Sequence, residues 1–225
     1  MIRFNNQNVT FFKKSLIFFS NLVRKIFRGD RLIRISKKLN QISREYSLKH
    51  KNKKIVILDY GCGSMEIAKK LQNSKHIKKI IGTDVFNFSF KKKKLLYLSF
   101  KNFSTIKTKI DLIIIVDVLH HIGVDKTNQI LNNLSKISKN IIVKDHFEHG
   151  FFSRHLLRFV DFYANYAYDV NIPKKYFDQI SWQRQIKKTK FKEKKIIKNF
   201  QQHDGLFNFI LDKKHHFISI LEYEN

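Results

Sequence analysis

From residue 55 onward the chain alternates short, continuous apolar runs with polar stretches of helical length. The runs are 55–58, 80–83, 95–98, 112–116 and 141–143. Most are rich in β-branched residues and none is interrupted by charge, the pattern of parallel strands buried on both faces. Between them, Met65–Gln72 and Lys126–Ser138 carry helix-compatible spacing. Strands alternating with helices imply βαβ units and a doubly wound α/β sheet. Two more strand-like runs, 194–200 and 217–221, follow at the end. Before residue 50 the period changes: Phe12, Leu16, Phe19, Val23 and Phe27 recur at helical spacing. Gly29-Asp30 is expected to break this helix, with a second basic helix from Arg31 to Ser47. No internal repeat or Pro/Gly-rich linker is present. The expected organisation is a helical extension over 1–50, packed on one domain over 51–225 with an insert at about 146–190.

Composition first suggests, then weakens, a nucleic-acid partner. The 225 residues carry 45 Lys+Arg against 18 Asp+Glu, a formal charge of +27. Yet Lys, Ile, Asn and Phe make 106 of 225 residues while Arg numbers only 9. The first four have codons built largely from A and T, so much of the charge follows base composition rather than a phosphate-binding surface. With 43% hydrophobic residues and 22 Phe the chain is not a disordered polycation. One cysteine excludes a disulfide scaffold and a cysteine-cluster zinc site, and fits a reducing, cytoplasmic setting. No apolar run reaches the roughly 20 residues of a spanning helix, and neither a transmembrane segment nor a secretory signal is expected.

Against so many lysines, the acids and glycines carry the information. Asp59, Asp84, Asp117 and Asp145 each fall within a residue or two of the C-terminal end of an expected strand. Ligands bind at that edge of an open α/β sheet. Gly61 and Gly63 follow the first strand in Leu58-Asp59-Tyr60-Gly61-Cys62-Gly63-Ser64. A dinucleotide fingerprint needs a third small residue where this chain has Glu66, so NAD and FAD are disfavoured. No Gly-Lys-Ser/Thr follows, which excludes a phosphate loop.

These residues resemble the class I S-adenosylmethionine-dependent methyltransferases, over most of the chain from about residue 54. Leu58-Asp59-Tyr60-Gly61-Cys62-Gly63-Ser64 is similar to the family's first motif. Asp84, ending Ile81-Gly82-Thr83-Asp84, is similar to its ribose-binding acid. Val116-Asp117-Val118-Leu119-His120-His121-Ile122 resembles the signature after the fourth strand in the broad small-molecule, type 11-like subgroup. The resemblance implies a Rossmann-like, seven-stranded, mostly parallel sheet with helices on both faces and an antiparallel last strand pair. It implies S-adenosyl-L-methionine as cofactor, bound by Asp59, Gly61, Cys62, Gly63, Asp84, Val85, Phe100 and Asp117. A carboxylate at Asp84 suits a ribose diol, and acids suit an ammonium and a sulfonium. Two departures stand out. Met65 occupies a position where the family often has glycine. The polar residue expected for adenine is missing from Leu98-Ser99-Phe100-Lys101, leaving stacking on Phe86 or Phe100 and backbone contacts.

On the acceptor side, His146 is the preferred general base or acceptor contact and His121 the second candidate. The competing reading makes them structural histidines at strand ends. No metal site is expected, because the spacing of His120, His121, His146 and His149 matches no zinc pattern. The 146–182 segment, with Arg154, Arg158, Asp161, Tyr163, Asn165, Tyr166 and Tyr168, is expected to contact a small-molecule acceptor. Two alternatives remain. An RNA methyltransferase would use the lysines of 91–94 and 187–198, but Asn/Asp-Pro-Pro-aromatic is impossible with one proline, so nucleic acid is disfavoured. A degenerate scaffold would place basic residues 9–28 on an anionic membrane, the competing reading being a helix packed over the crevice.

Overall fold

The computed structural model describes residues 11–85, 91–165, 170–203, 208 and 211–224; the side chains of 103–105, 164 and most of 11–29 lie outside this description. Six helices and eight strands follow in chain order among these residues: α1 (Phe11–Lys49), β1 (Ile55–Tyr60), α2 (Glu66–Leu71), β2 (Ile77–Asp84), β3 (Lys91–Lys92), β4 (Leu95–Ser99), β5 (Leu112–Val116), α3 (Leu119–Ile122), α4 (Thr127–Leu134), β6 (Asn140–His146), α5 (Phe151–Asn165), α6 (Gln179–Lys187), β7 (Phe191–Ile197) and β8 (His216–Tyr223). One sheet orders them β3-β4-β2-β1-β5-β6-β8-β7. Strands β4, β2, β1, β5 and β6 run parallel, while β8 lies antiparallel between β6 and β7.

The apolar runs are strands because both faces of the sheet are covered. Successive residues belong to opposite cores. Leu58, Ile113, Ile115 and Val143 pack with Leu131, Trp182 and Phe217 on one face. Ile57, Leu112, Ile114 and Ile142 pack with Ala68 and with Ile35, Leu39 and Ile42 of α1 on the other. The order of strands reverses at β1, which has β2 on one side and β5 on the other, both parallel to it. That switch point opens a crevice beyond the carboxyl ends of the parallel strands.

Three expectations are corrected. Gly29-Asp30 does not break α1, which runs unbroken from Phe11 to Lys49. One helical glycine costs about 1 kcal/mol, less than renucleating a second helix. An eighth strand, the two-residue β3, pairs antiparallel with β4; its lysines blunt an edge and leave no apolar signal. Finally, β6 extends through His146, so Lys144, Asp145 and His146 lie within the strand, and His146 pairs in register with His216. The final strand pair is found where expected, with β7 beginning at Phe191 rather than 194.

Candidate active site

The loop leaving β1 turns sharply through left-handed backbone at Gly61 (φ 74°) and Gly63 (φ 50°). A Cβ at Gly61 would stand 2.4 Å from Val118 Cγ2, whereas the same position at Gly63 meets open space. Met65 is also left-handed, at φ 60°, where the side-chain-bearing backbone is strained. Its side chain is fully buried beneath Gly82, whose missing Cβ makes room for Met65 and Cys62. The departure from glycine at this position is therefore accommodated from below.

Asp84 closes this loop from the end of β2. Its Oδ2 accepts from Gly63 N–H at 2.7 Å and its Oδ1 from Val85 N–H at 2.7 Å. Each carboxylate oxygen retains a lone pair for a diol. Asp59 is buried, and its Oδ2 has no hydrogen-bond partner. Burial, reinforced by the Asp84 charge, pushes its carboxyl up to about 7. An orphaned acid oxygen beside a glycine loop suits an ammonium group. The cavity here, about 140 Å³, is lined by Asp59, Gly61, Cys62, Gly63, Arg31 and Val116, among others. Cys62 is half-buried, and burial followed by the Asp59 and Asp84 charges pushes its thiol up. Val85 is exposed, and Phe100 sits edge-on to Tyr60 at 5.9 Å between centroids. Phe86, the other adenine-stacking candidate, lies outside the described residues, as do Tyr166 and Tyr168.

Asp117, just past β5, adopts φ 54° and is the hub of an ion network. Its carboxylate pairs with Arg31 of α1 and with Lys144 of β6. His146 Nε2 stands 3.2 Å from its Oδ1. Burial alone would raise this carboxyl, but Lys144, Arg31 and His146 hold it well below the ordinary range. Lys144 is completely buried, which lowers its ammonium to about 8 despite the pairing with Asp117. His146 Nδ1 lies 3.1 Å from His216 Nδ1. Burial and then Lys144 lower the His146 imidazole, leaving the neutral form favoured.

A second polar cluster lies beside this one, built from α3, β6 and α5. His120 Nδ1 is 2.5 Å from Asp145 Oδ1 and its Nε2 is 3.4 Å from Asp161 Oδ2. Burial opposes a charge on His120, yet Asp145 and Asp161 outweigh it and raise the group to about 10. His121 Nδ1 lies 2.9 Å from the Asn171 carbonyl, and burial followed by the His120 charge lowers it to about 4. Tyr176 donates its hydroxyl to Asp161 Oδ2. Glu148 binds Arg154 through both carboxylate oxygens, at 2.8 and 2.5 Å, and accepts from Tyr176 N–H at 3.0 Å.

The structure thus brings Asp59, Gly61, Cys62, Gly63 and Asp84 around one crevice, with Asp117, His146 and His121 in the adjoining polar cluster. Asp117 is engaged by Arg31, Lys144 and His146 rather than standing free. Sequence reasoning did not single out Arg31, Lys144, Tyr176 or His216. Lys144 left a readable trace, a lone lysine closing an apolar β-branched run, which cannot face solvent in a central strand.

Comparisons with known proteins give the fold. The plantazolicin methyltransferase BpumL, in complex with a monoazolic desmethylPZN analog and SAH, superposes with TM-score 0.59 at 14% identity, covering 95% of this chain and 98% of that one. Magnesium protoporphyrin IX methyltransferase (ChlM) from Synechocystis PCC 6803, with bound SAH, gives 0.57 at 11% identity over 98% and 90% of the two chains. A cyclopropane-fatty-acyl-phospholipid synthase-like protein from Lactobacillus casei gives 0.58 at 10% identity over 94% and 100%. No protein-family model and no curated protein sequence matches the chain. The chain shares its fold with these two methyltransferases and the synthase-like protein.

Proposed function

We propose that this protein transfers a methyl group from S-adenosyl-L-methionine to a small-molecule acceptor. The observation that carries the reading is the seating of Asp84 on the Gly63 N–H at 2.7 Å, at the sheet's switch point. It joins the two elements that a nucleoside with an amino-acid tail requires: a carboxylate for the ribose diol and bare backbone for the tail. The residues present fit that group. Asp59 Oδ2 is buried and unpartnered, and would receive the cofactor's ammonium. Asp84 would hold the diol, with the Val85 backbone, Phe100 and Cys62 around the remainder. When bound, the cofactor supplies an electrophilic methyl on a sulfonium.

Methyl transfer is an in-line displacement in which positioning does most of the work. His146, 3.2 Å from Asp117 Oδ1, would contact the acceptor, together with residues of the 146–182 segment. The fold neighbours support a small molecule: BpumL was crystallised with desmethylPZN analogs. The lone Cys62 supports a cytoplasmic setting. A peripheral contact of residues 9–28 with anionic lipid belongs to this proposal. Phe18 is 67% exposed, while residues 9 and 10 and most side chains of the segment lie outside the described set.

The test is incubation of purified protein with methyl-tritiated S-adenosylmethionine and a metabolite extract. Label in a low-molecular-weight fraction, lost in Asp84→Ala and reduced severalfold in His146→Gln, is expected. Label in RNA instead, or none in any fraction, contradicts the proposal.

A further inference from the structure

Beyond the cofactor crevice, we infer that His120, His121 and Asp161 form a binding site for a divalent transition-metal ion such as Zn²⁺. One ligand atom from each residue lies within 4.8 Å of the other two. The His120 Nε2 to Asp161 Oδ2 separation of 3.4 Å equals the edge of a tetrahedron with metal–ligand bonds of about 2.0–2.1 Å.

The surroundings of the three ligands point the same way. Metal-binding imidazoles characteristically have their other ring nitrogen fixed by a carboxylate or a backbone carbonyl. Both forms occur side by side: Asp145 Oδ1 at 2.5 Å from His120 Nδ1, and the Asn171 carbonyl at 2.9 Å from His121 Nδ1. Each contact leaves Nε2 as the ligating atom. His120 Nε2 is fully buried, makes no well-aligned hydrogen bond and faces Asp161 Oδ2 at 3.4 Å, so an ion bound between them would take the place of its proton. Tyr176 anchors the third ligand through its hydroxyl on Asp161 Oδ2.

Charge agrees with geometry. Asp145 and Asp161 place two negative charges around the two imidazoles, and a dication bound in place of the His120 proton balances them. Two imidazoles and one carboxylate form a borderline donor set suited to zinc or another first-row divalent ion, not to calcium or magnesium. Three protein ligands leave one tetrahedral position open, the arrangement of a site that binds something further. The expectation of no metal rested on spacing along the chain; Asp161 arrives from α5, where no local spacing could announce it.

The site stands independently of the methyltransferase reading, so its test reads metal rather than turnover. Full-length protein is stripped with chelator, dialysed and reloaded with Zn²⁺ or Co²⁺. One equivalent of zinc is expected by elemental analysis, with a rise in Tm of about 5–10 °C at a hundredfold excess over the dissociation constant. The cobalt form should show visible d–d absorption. His121→Gln and Asp161→Asn should each lose that equivalent with circular dichroism unchanged, while the surface variant His149→Gln keeps it. Failure of wild type to take up metal overturns the site, as does equal uptake by all variants. If the variants misfold, the cobalt spectrum of the wild type decides. S-adenosylmethionine binding by the same metal-free and loaded preparations reports separately on the cofactor crevice.

Discussion

Asp59 is buried where a cofactor ammonium would be met, and its ionisation is therefore costly until that charge arrives. A carboxyl pushed up to about 7 in the folded protein, from 3.8 in the unfolded chain, binds more protons folded than unfolded between those values. Stability must consequently fall as pH rises from about 4 to about 7. Asp59→Asn removes this burden. Urea melts should find the variant on the order of 1–4 kcal/mol more stable than wild type at pH 8, converging below pH 4. A variant less stable at pH 8 would show that the acid is already satisfied. Gly61 states the packing side of the same loop. Gly61→Ala should cost about 2–4 kcal/mol, from left-handed strain and from the Cβ driven into Val118. Val118→Ala in the same chain should recover the steric share, so the double variant melts above Gly61→Ala alone.

Among the elements, legibility followed the locality of the forces. The parallel strands could be read because both faces are buried, giving unbroken runs such as Leu112–Val116. The glycine loop and the strand-end Asp84 could be read because turn chemistry and strand ends are local. The path of α1 could not, since a glycine penalty is small beside helix continuity. Nor could the charges that complete the site be read. Arg31 meets Asp117 from 86 residues away, and Lys144 is buried because it faces the same carboxylate. Such pairings are decided by packing in space, which no window of sequence contains. The continuity of α1 has its own consequence. Gly29→Ala should stabilise the protein by about 0.5–1 kcal/mol in a thermal or urea melt. A loss of stability would mean that the helix bends at that glycine.

For the molecule as a whole, the formal charge of +27 conceals an acidic crevice. Asp59, Asp84, Asp117 and Asp145 gather at one sheet edge, and their partners differ in kind. Asp117 and Asp145 are neutralised internally, by Arg31 and Lys144 and by His120 respectively. Asp84 is held by backbone and Asp59 keeps an unpartnered oxygen. The first pair builds the wall of the site; the second is left for a ligand. Titration calorimetry of S-adenosylmethionine into wild type and Asp84→Ala tests that division most directly. The account predicts one site per chain in wild type, with affinity rising from pH 6 to pH 8 as Asp59 gives up its proton. Asp84→Ala should bind at least about tenfold more weakly, roughly 1.4 kcal/mol, with its circular dichroism unchanged. No binding by wild type, or equal binding by the variant, would contradict it.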